Sequence, residues 1–227
     1  MNSEDRARLG RIWIETALGE HASVAAFARF VLHLLSLGSP PDLILDAIKA
    51  MEDEVHHARL CFGIARQFTD EAPGPGRMDL SGVLEESDEP DAILRAAIRE
   101  GCIEETISAA HAQVAVERAT EPGMHAALAR IADDEARHAD LAWRFVRWAL
   151  QAYPELTSSA EECFATALAT PYEPDDRDDS PLLEPHGLLL SDSKSQVRQE
   201  TLREKIIPRV VELFGRFPIA NAPETIS

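Results

Sequence analysis

Apolar residues recur every three or four positions along four long segments of this 227-residue chain. That interval is the period of an α-helix with one buried face, so each segment predicts a long amphipathic helix. The predicted helices cover about residues 5–37, 42–68, 91–120 and 124–152. They are separated by Gly-Ser-Pro-Pro at 38–41, a long Gly- and Pro-rich connection over 69–90, and Glu-Pro-Gly at 121–123.

One glutamate interrupts each of the four apolar faces. Glu20 falls among the apolar positions of the first predicted helix. Helical spacing places Glu54, Glu105 and Glu135 at inward positions of the other three helices. Glu104 falls instead on a polar face of the third helix and is predicted to be solvated. A single inward glutamate is usually a residue at the boundary between the apolar and polar faces. Only the four inward glutamates together indicate a functional site.

Two of these glutamates belong to a repeated motif. Asp-Glu-Val-His-His at 53–57 matches Asp-Glu-Ala-Arg-His at 134–138 in its Asp, its Glu and its final His. His57 and His138 follow their glutamates by three residues, which places carboxylate and imidazole one turn apart on the same face. His56 points about 200° away around the helix from the glutamate and is not its partner. Each half of the chain therefore contributes a helical hairpin, and the two hairpins can pair with six polar side chains in the middle.

Four carboxylates and two imidazoles in a helical core require compensation, because buried charges of one sign repel each other and lose their hydration. Two divalent cations would supply about +4 against −4. Oxygen ligands with one imidazole per ion favour iron or manganese, whereas a zinc or soft-metal site would contain thiolates. The alternatives are motifs on solvated faces and a metal-free interaction protein, which would bury six polar groups uncompensated. The cysteines lack metal-binding spacing and are predicted to be buried thiols: Cys61, Cys102 and Cys163.

Residues 10–150 resemble the ferritin-like di-iron carboxylate proteins. The Asp-Glu-Ala-Arg-His run is similar to the motif of di-iron oxygenases and ribonucleotide reductase small subunits. The resemblance implies an all-α fold, with a ferritin-like four-helix bundle over residues 1–155 and a crossover between its two helical hairpins. A C-terminal extension over 156–227 would follow, with an acidic linker and a fifth long helix.

The resemblance also implies roles at a site for two iron ions. The expected ligands are Glu20, Glu54, His57, Glu105, Glu135 and His138. Glu54 and Glu135 would bridge the ions, the other two glutamates would each bind one ion, and each histidine would give one nitrogen. Asp53 and Asp134 would accept a hydrogen bond from the N–H of a ligand histidine, on the same helix or on the facing one.

By the same resemblance, two iron ions, or manganese or a mixed pair, would activate O2 or peroxide. The expected activity is oxidation or oxygenation of a small molecule with an external electron donor and no catalytic side chain beyond the metal ligands. The alternative is iron handling, as a ferroxidase or a peroxide-detoxifying ferritin-like protein. Radical chemistry is not expected, because Tyr153 and Tyr172 lie beyond the ligand level of the bundle.

Charge and composition narrow the partners. The net charge is −18, from 40 acidic and 22 basic residues, which argues against nucleic acid. No apolar run approaches the ~20 residues of a membrane span, and the mixed-charge N-terminus favours a cytoplasmic protein. Beyond the bundle, the pattern predicts a short helix over 156–168, an acidic linker over 170–184 and a helix over 193–214 broken or kinked at Pro208. This tail is expected to pack on the bundle or on a second subunit of a homodimer.

Overall fold

A computed structural model describes residues 1–82, 88–172 and 180–216, and within these ranges the regular structure is entirely helical. The α-helices are α1 Ser3–Ser36, α2 Pro41–Ala65, α3 Pro90–Ala96, α4 Thr106–Arg118, α5 Pro122–Ala152, α6 Thr157–Ala169, α7 Ser191–Thr201 and α8 Ile207–Phe214. Two π-helical segments, Ala97–Glu105 and Leu202–Ile206, join α3 to α4 and α7 to α8. Single 3₁₀ turns cover Pro154–Leu156 and Glu184–His186. The prediction of an all-α protein is confirmed.

The first two helices form an antiparallel hairpin at the predicted turn. Asn2 caps α1, because its side-chain oxygen accepts a hydrogen bond from the Asp5 amide at 2.8 Å. Gly38 adopts φ +65° after the last turn of α1, a conformation that favours glycine. α2 ends at Ala65 rather than at the predicted Phe68, because the amide of Phe68 donates to the carbonyl of Ala65 in a tightened i−3 turn.

The third long helix, residues 90–118, is continuous but contains a π-helical segment that the sequence pattern did not predict. Inside this segment Gly101 lies against α5, where a Cβ atom would come 2.4 Å from the Cβ of Ala142. Only glycine allows that approach. Beyond the segment Ile107, Ala110 and Val116 are buried, whereas Ala112 is half-buried. A wider turn changes the phase of every residue that follows it.

Contacts between helices fix their directions. Arg144 of α5 pairs with Asp46 of α2 at 2.6 Å, and Arg137 pairs with Asp53 at 3.1 Å. Later residues of α5 therefore contact earlier residues of α2, so the two helices are antiparallel. α4 and α5 are also antiparallel, since only residues 119–121 connect them.

Two clusters of buried apolar side chains fill the protein. One includes Leu34, Ile98, Phe145, Phe164 and Ile206, and the other includes Trp13, Phe62, Met124, Leu128 and Leu189. Most of the buried charged side chains belong to neither cluster and come from the middle of the long helices. The described residues after α5 contribute to both clusters, so this part of the chain packs on the four long helices.

The C-terminal helix is interrupted just before Pro208 rather than at it. Pro208 has no N–H and its ring crowds the carbonyl of Glu204, and the π-helical turn Leu202–Ile206 accommodates both effects. Parts of the predicted crossover (83–87), of the acidic linker (173–179) and of the extension (217–227) lie outside the described residues. In the described ranges, no helix combines the length and the apolar character needed to cross a bilayer.

Candidate metal centre

The structure brings the six predicted ligand side chains together. Glu54, His57, Glu135 and His138 are buried, with at most 4% of each residue exposed. Glu20 and Glu105 are half-buried at the edge of the group. Ligand atoms of Glu20, Glu54, His57 and Glu135 lie within 4.8 Å of one another, and so do those of Glu105, Glu135 and His138. The cluster could hold a metal ion.

Each histidine directs Nδ1 into the carboxylates. Nδ1 of His57 lies 3.3 Å from Glu135, 3.4 Å from Glu20 and 3.6 Å from Glu54. Nδ1 of His138 lies 3.1 Å from Glu54 and 3.8 Å from Glu135. The Nδ1 atoms of His57 and His138 and Oε2 of Glu54 are buried without a hydrogen-bond partner in the described residues. Buried polar atoms without partners are uncommon, and a cation among them would satisfy all three.

Two of the glutamates each face both histidines. Oε2 of Glu54 lies nearer His57, and its Oε1 lies nearer His138. Glu135 does the same with Oε1 towards His57 and Oε2 towards His138. The two imidazoles have ring centroids 5.8 Å apart. A carboxylate with one oxygen at each of two neighbouring nitrogens has the geometry of a bridging ligand.

Protons balance the cluster when no cation is bound. Burial raises the pKa of Glu20 to about 7 and that of Glu105 well above its ordinary value. Burial opposes the charge on His57, but the carboxylates of Glu135, Glu20 and Glu54 outweigh it and raise its pKa to about 12. The raised pKa values of Glu20, Glu105, His57 and His138 favour retention of protons by the metal-free cluster near neutral pH. Metal binding must displace these protons, because the ligand atoms have to be deprotonated.

Each aspartate of the repeated motif lies beside the histidine of the facing helix, but only Asp134 is hydrogen-bonded to it. Nε2 of His57 lies 3.0 Å from Asp134 and donates to it, which leaves Nδ1 facing the carboxylates as a potential ligand atom. Nε2 of His138 lies 3.7 Å from Asp53, near but beyond hydrogen-bonding distance. The choice between the same helix and the facing helix, open in the sequence, falls on the facing helix for Asp134, whereas Asp53 makes no hydrogen bond to either histidine.

A single arginine ties the two aspartates together. Nη1 of Arg137 donates to Asp53 at 3.1 Å, and its Nη2 donates to Asp134. Lys49 adds a hydrogen bond to Asp53 at 2.9 Å. Burial opposes ionisation of Asp53, but Lys49 and Arg137 outweigh it and lower its pKa. Arg137, at the protein surface, thus links the aspartate of α2 to the aspartate of α5.

We expect Arg137→Met to weaken metal binding about tenfold, because Asp53 and Asp134 lose the group that orients them towards the histidines. The dissociation constant for Mn(II) would be measured by competition with a fluorescent chelator. Arg144→Met is the matched control, since Arg144 also joins α5 to α2, through Asp46, two turns away from the cluster. Equal effects of the two substitutions would contradict a positioning role for Arg137.

Other residues considered in the sequence lie away from the cluster. Glu104 is exposed and accepts two hydrogen bonds from Arg198 at 3.0 Å. His56 lies 4.0 Å from Glu52 on the surface of α2. Tyr153 donates to the carbonyl of Leu37 at 2.9 Å. These positions agree with the outward faces predicted for Glu104 and His56.

Two cavities of contrasting polarity reach the cluster, and a third, of about 340 Å³, is lined in part by Glu20 and Cys61. The polar cavity has a volume of about 470 Å³ and is lined by residues of α1, α2, α4, α5 and α7, including Glu20 and Glu135. The apolar cavity, of about 90 Å³, is lined in part by Phe27 and Leu141 and reaches His138 and Glu105. Sequence reasoning missed the cavity walls, because their residues come from segments far apart in the chain. The lining residues that were not predicted as site residues include Ser108, His111, Lys194 and Arg198.

Tyr172 also lines the polar cavity, so one of the two tyrosines placed beyond the ligand level lies near the site. Its ring is stacked under Arg198 at 5.0 Å. His186, in contrast, packs edge-on against Phe68 and accepts a hydrogen bond through its carbonyl from Trp13. It has a structural position in the second apolar cluster.

Comparison with protein-family models, with curated proteins and with solved structures gave no match to this chain. The chemistry of the site is therefore inferred from its own residues and their geometry.

Proposed function

We propose that this chain is a ferritin-like di-iron carboxylate protein that activates O2 or peroxide to oxidise a small-molecule substrate. The observation that carries the proposal is the pair of buried glutamates that each face both histidines. One such residue could arise as part of a single-metal site. Glu54 and Glu135 together define two adjacent positions, each with an imidazole nitrogen and carboxylate oxygens.

The helix directions support a ferritin-like bundle. α1 and α5 run one way, whereas α2 and the helix over 90–118 run the other way. Two consecutive long helices of the same direction require a long connection between them, and residues 66–89 supply it. A four-helix bundle with one long crossover is the arrangement of ferritin-like folds, and glutamates with Glu-x-x-His pairs form the metal site in their di-iron members.

The donor set suits two iron or manganese ions. Four carboxylates balance two divalent cations, and oxygen with imidazole nitrogen are ligands that both metals accept. Bound iron would supply the redox chemistry with O2 or peroxide. Asp134 accepts a hydrogen bond from Nε2 of His57 and so directs Nδ1 of that ring towards the carboxylates. Turnover with O2 would also draw electrons from an external donor.

The two cavities favour a small-molecule substrate over iron handling. Both end at predicted ligands, and the apolar one is bounded by Phe27, Phe30 and Leu141. Arg29, His33 and Glu100 also line this cavity, but its apolar side chains beside the cluster suit contact with an organic compound better than with a hydrated metal ion.

Anaerobic reconstitution with Fe(II) tests the proposal. We expect about two iron ions per chain by elemental analysis, and uptake of O2 at an oxygen electrode when the loaded protein is mixed with air-saturated buffer. Retention of many iron ions per chain after repeated additions of Fe(II) and O2 would favour storage. A metal-free protein after reconstitution would contradict the proposal.

A further inference from the structure

The third cavity runs from a polar border beside the cluster into an apolar interior. It lies among α1, α4, α5 and the segment 183–191 and has a volume of about 340 Å³. Most of the polar residues in its lining also line the polar cavity, so the two cavities adjoin there: Thr16, Glu20, Ser108, His111 and Lys194. Apart from Ser191, the described residues that line only the third cavity are apolar residues or glycine.

Small residues on one face of α4 leave this space open. Ser108, Ala112 and Ala115 are four and seven residues apart, so they lie on the same face, and all three line the cavity. Ala112 is only half-buried in the middle of the helix, because it faces the cavity and not a neighbouring helix. The side chains of Trp13 on α1 and Leu128 on α5 form other parts of the lining.

The segment 183–191 is fixed against the bundle and completes the wall. Nε1 of Trp13 donates to the carbonyl oxygen of His186 at 3.3 Å. Gly187 has φ +75°, and a Cβ atom there would come 2.6 Å from Cδ1 of Leu128. Leu183 is only 5% exposed. The apolar interior is therefore enclosed by a tightly packed part of the fold.

The border of the cavity can form hydrogen bonds with an uncharged group. Nε2 of His111 lies 3.1 Å from the carbonyl oxygen of Lys194 and donates to it. Burial lowers the pKa of His111, so the ring is neutral at pH 7 and its Nδ1 is an acceptor. Ser108 adds a hydroxyl group on the same side. Beyond this border the lining offers no charged partner, so an ion placed there would lose its hydration without compensation.

We propose that the third cavity binds the alkyl chain of an uncharged substrate, with the polar group of that substrate at the border beside Glu20, Ser108 and His111. An apolar cavity of about 150 Å³ holds benzene, so this one has room for roughly ten carbon atoms. The carbons next to the polar group would then lie nearest the metal ligands. The binding of the chain needs no metal, whereas the assignment of this compound as the substrate rests on the proposed function.

Titration calorimetry of the metal-free protein with three neutral alcohols tests the apolar site. We expect 1-octanol to bind roughly a hundredfold more tightly than 1-butanol, because four more methylene groups leave water. We expect 1,8-octanediol to bind roughly tenfold more weakly than 1-octanol, because its second hydroxyl would be buried among apolar side chains without a partner. Equal affinities for 1-octanol and 1,8-octanediol would overturn the proposal without any substitution in the protein.

A substitution that fills the cavity locates the chain. Ala112→Phe should weaken binding of 1-octanol roughly tenfold or more, because the ring would occupy the volume that the chain needs. Ala109→Phe is the matched control, since Ala109 is also half-buried in α4 but lines none of the three cavities. Unchanged affinity of a folded Ala112→Phe protein, with folding checked by circular dichroism, would place the alcohol elsewhere and overturn the proposal.

The orientation of the chain is measured with Mn(II), whose unpaired electrons speed the relaxation of nearby protons. In the Mn(II)-loaded protein, the protons on the hydroxyl-bearing carbon of 1-octanol should relax faster than its methyl protons. Equal relaxation of the two ends, or the reverse order, would overturn the placement of the polar group at the border. Failure to load Mn(II), detected by elemental analysis, would overturn the proposed function and leave the apolar site to the titration of the metal-free protein.

Discussion

Glu135→Ala is expected to reduce bound iron from about two ions per chain to less than one. Glu135 belongs to both groups of potential ligands and places one carboxylate oxygen near each histidine. Its removal takes one ligand from both positions and leaves the remaining three carboxylates and two imidazoles to bind alone. Iron would be counted by elemental analysis after anaerobic loading and desalting.

Glu104→Ala is the matched control for this experiment. Glu104 precedes the predicted ligand Glu105 directly, but it is exposed and paired with Arg198. We expect Glu104→Ala to keep about two ions. Glu135→Gln preserves the volume of the side chain. This variant should lose metal as Glu135→Ala does, and it should retain the helical circular dichroism signal. Equal metal loss in Glu104→Ala and Glu135→Ala would contradict the assignment of Glu105 to the inward face and Glu104 to the outward face.

Removal of metal is expected to lower the melting temperature by about 10 °C near neutral pH. A ligand present at about one thousand times its dissociation constant stabilises the folded state by about 4 kcal/mol. In a protein of this size about 1 kcal/mol corresponds to roughly 2–4 °C. The measurement compares thermal unfolding of Mn(II)-loaded protein with and without a chelator in excess. An unchanged melting temperature would mean that the folded state binds no metal with useful affinity.

The effect of pH should have opposite signs in the two forms. Burial raises the pKa of Glu20 from 4.5 to about 7. Burial opposes the charge on His138, but Glu135 and Glu54 outweigh it and raise its pKa from 6.5 to about 9. In both cases the metal-free folded protein keeps a proton that the unfolded chain has released. Its stability therefore falls with rising pH, through about 4.5–7 for Glu20 and about 6.5–9 for His138.

Metal-induced stabilisation should instead grow over the same range, because fewer protons must be displaced from the ligands as pH rises. Melting temperatures between pH 5 and 9, with and without Mn(II), measure both trends. Glu20→Gln should flatten the fall of the metal-free protein below about pH 7, whereas the exposed Glu4→Gln should not. Stability of the metal-free protein that rises with pH throughout this interval would contradict the proton balance inferred for the cluster.

The repeated Asp-Glu-x-x-His motif and the helical spacing of Glu20 and Glu105 were sufficient to predict which six polar side chains would meet. Spacing along a helix determines the face on which a side chain lies, and that relation is local in the sequence. The all-α class and the four long helices followed from the same periodicity. The π-helical segment before Thr106 did not follow from it, and its Gly101 makes a close approach to Ala142 of another helix that spacing along one helix does not contain.

Only the tertiary structure decided how the cluster is supported and reached. It assigned Asp134 to His57 and Asp53 to the neighbourhood of His138, it brought Arg137 between the two aspartates, and it placed Lys194 and Arg198 in the wall of the polar cavity. These residues are separated by 77 positions for His57 and Asp134 and by 84 for Asp53 and Arg137. The sequence determined which residues face inward on each helix, since that is set within a few turns. Which inward residues contact each other, and which residues line the cavities beside the cluster, depends on the packing of whole helices against one another.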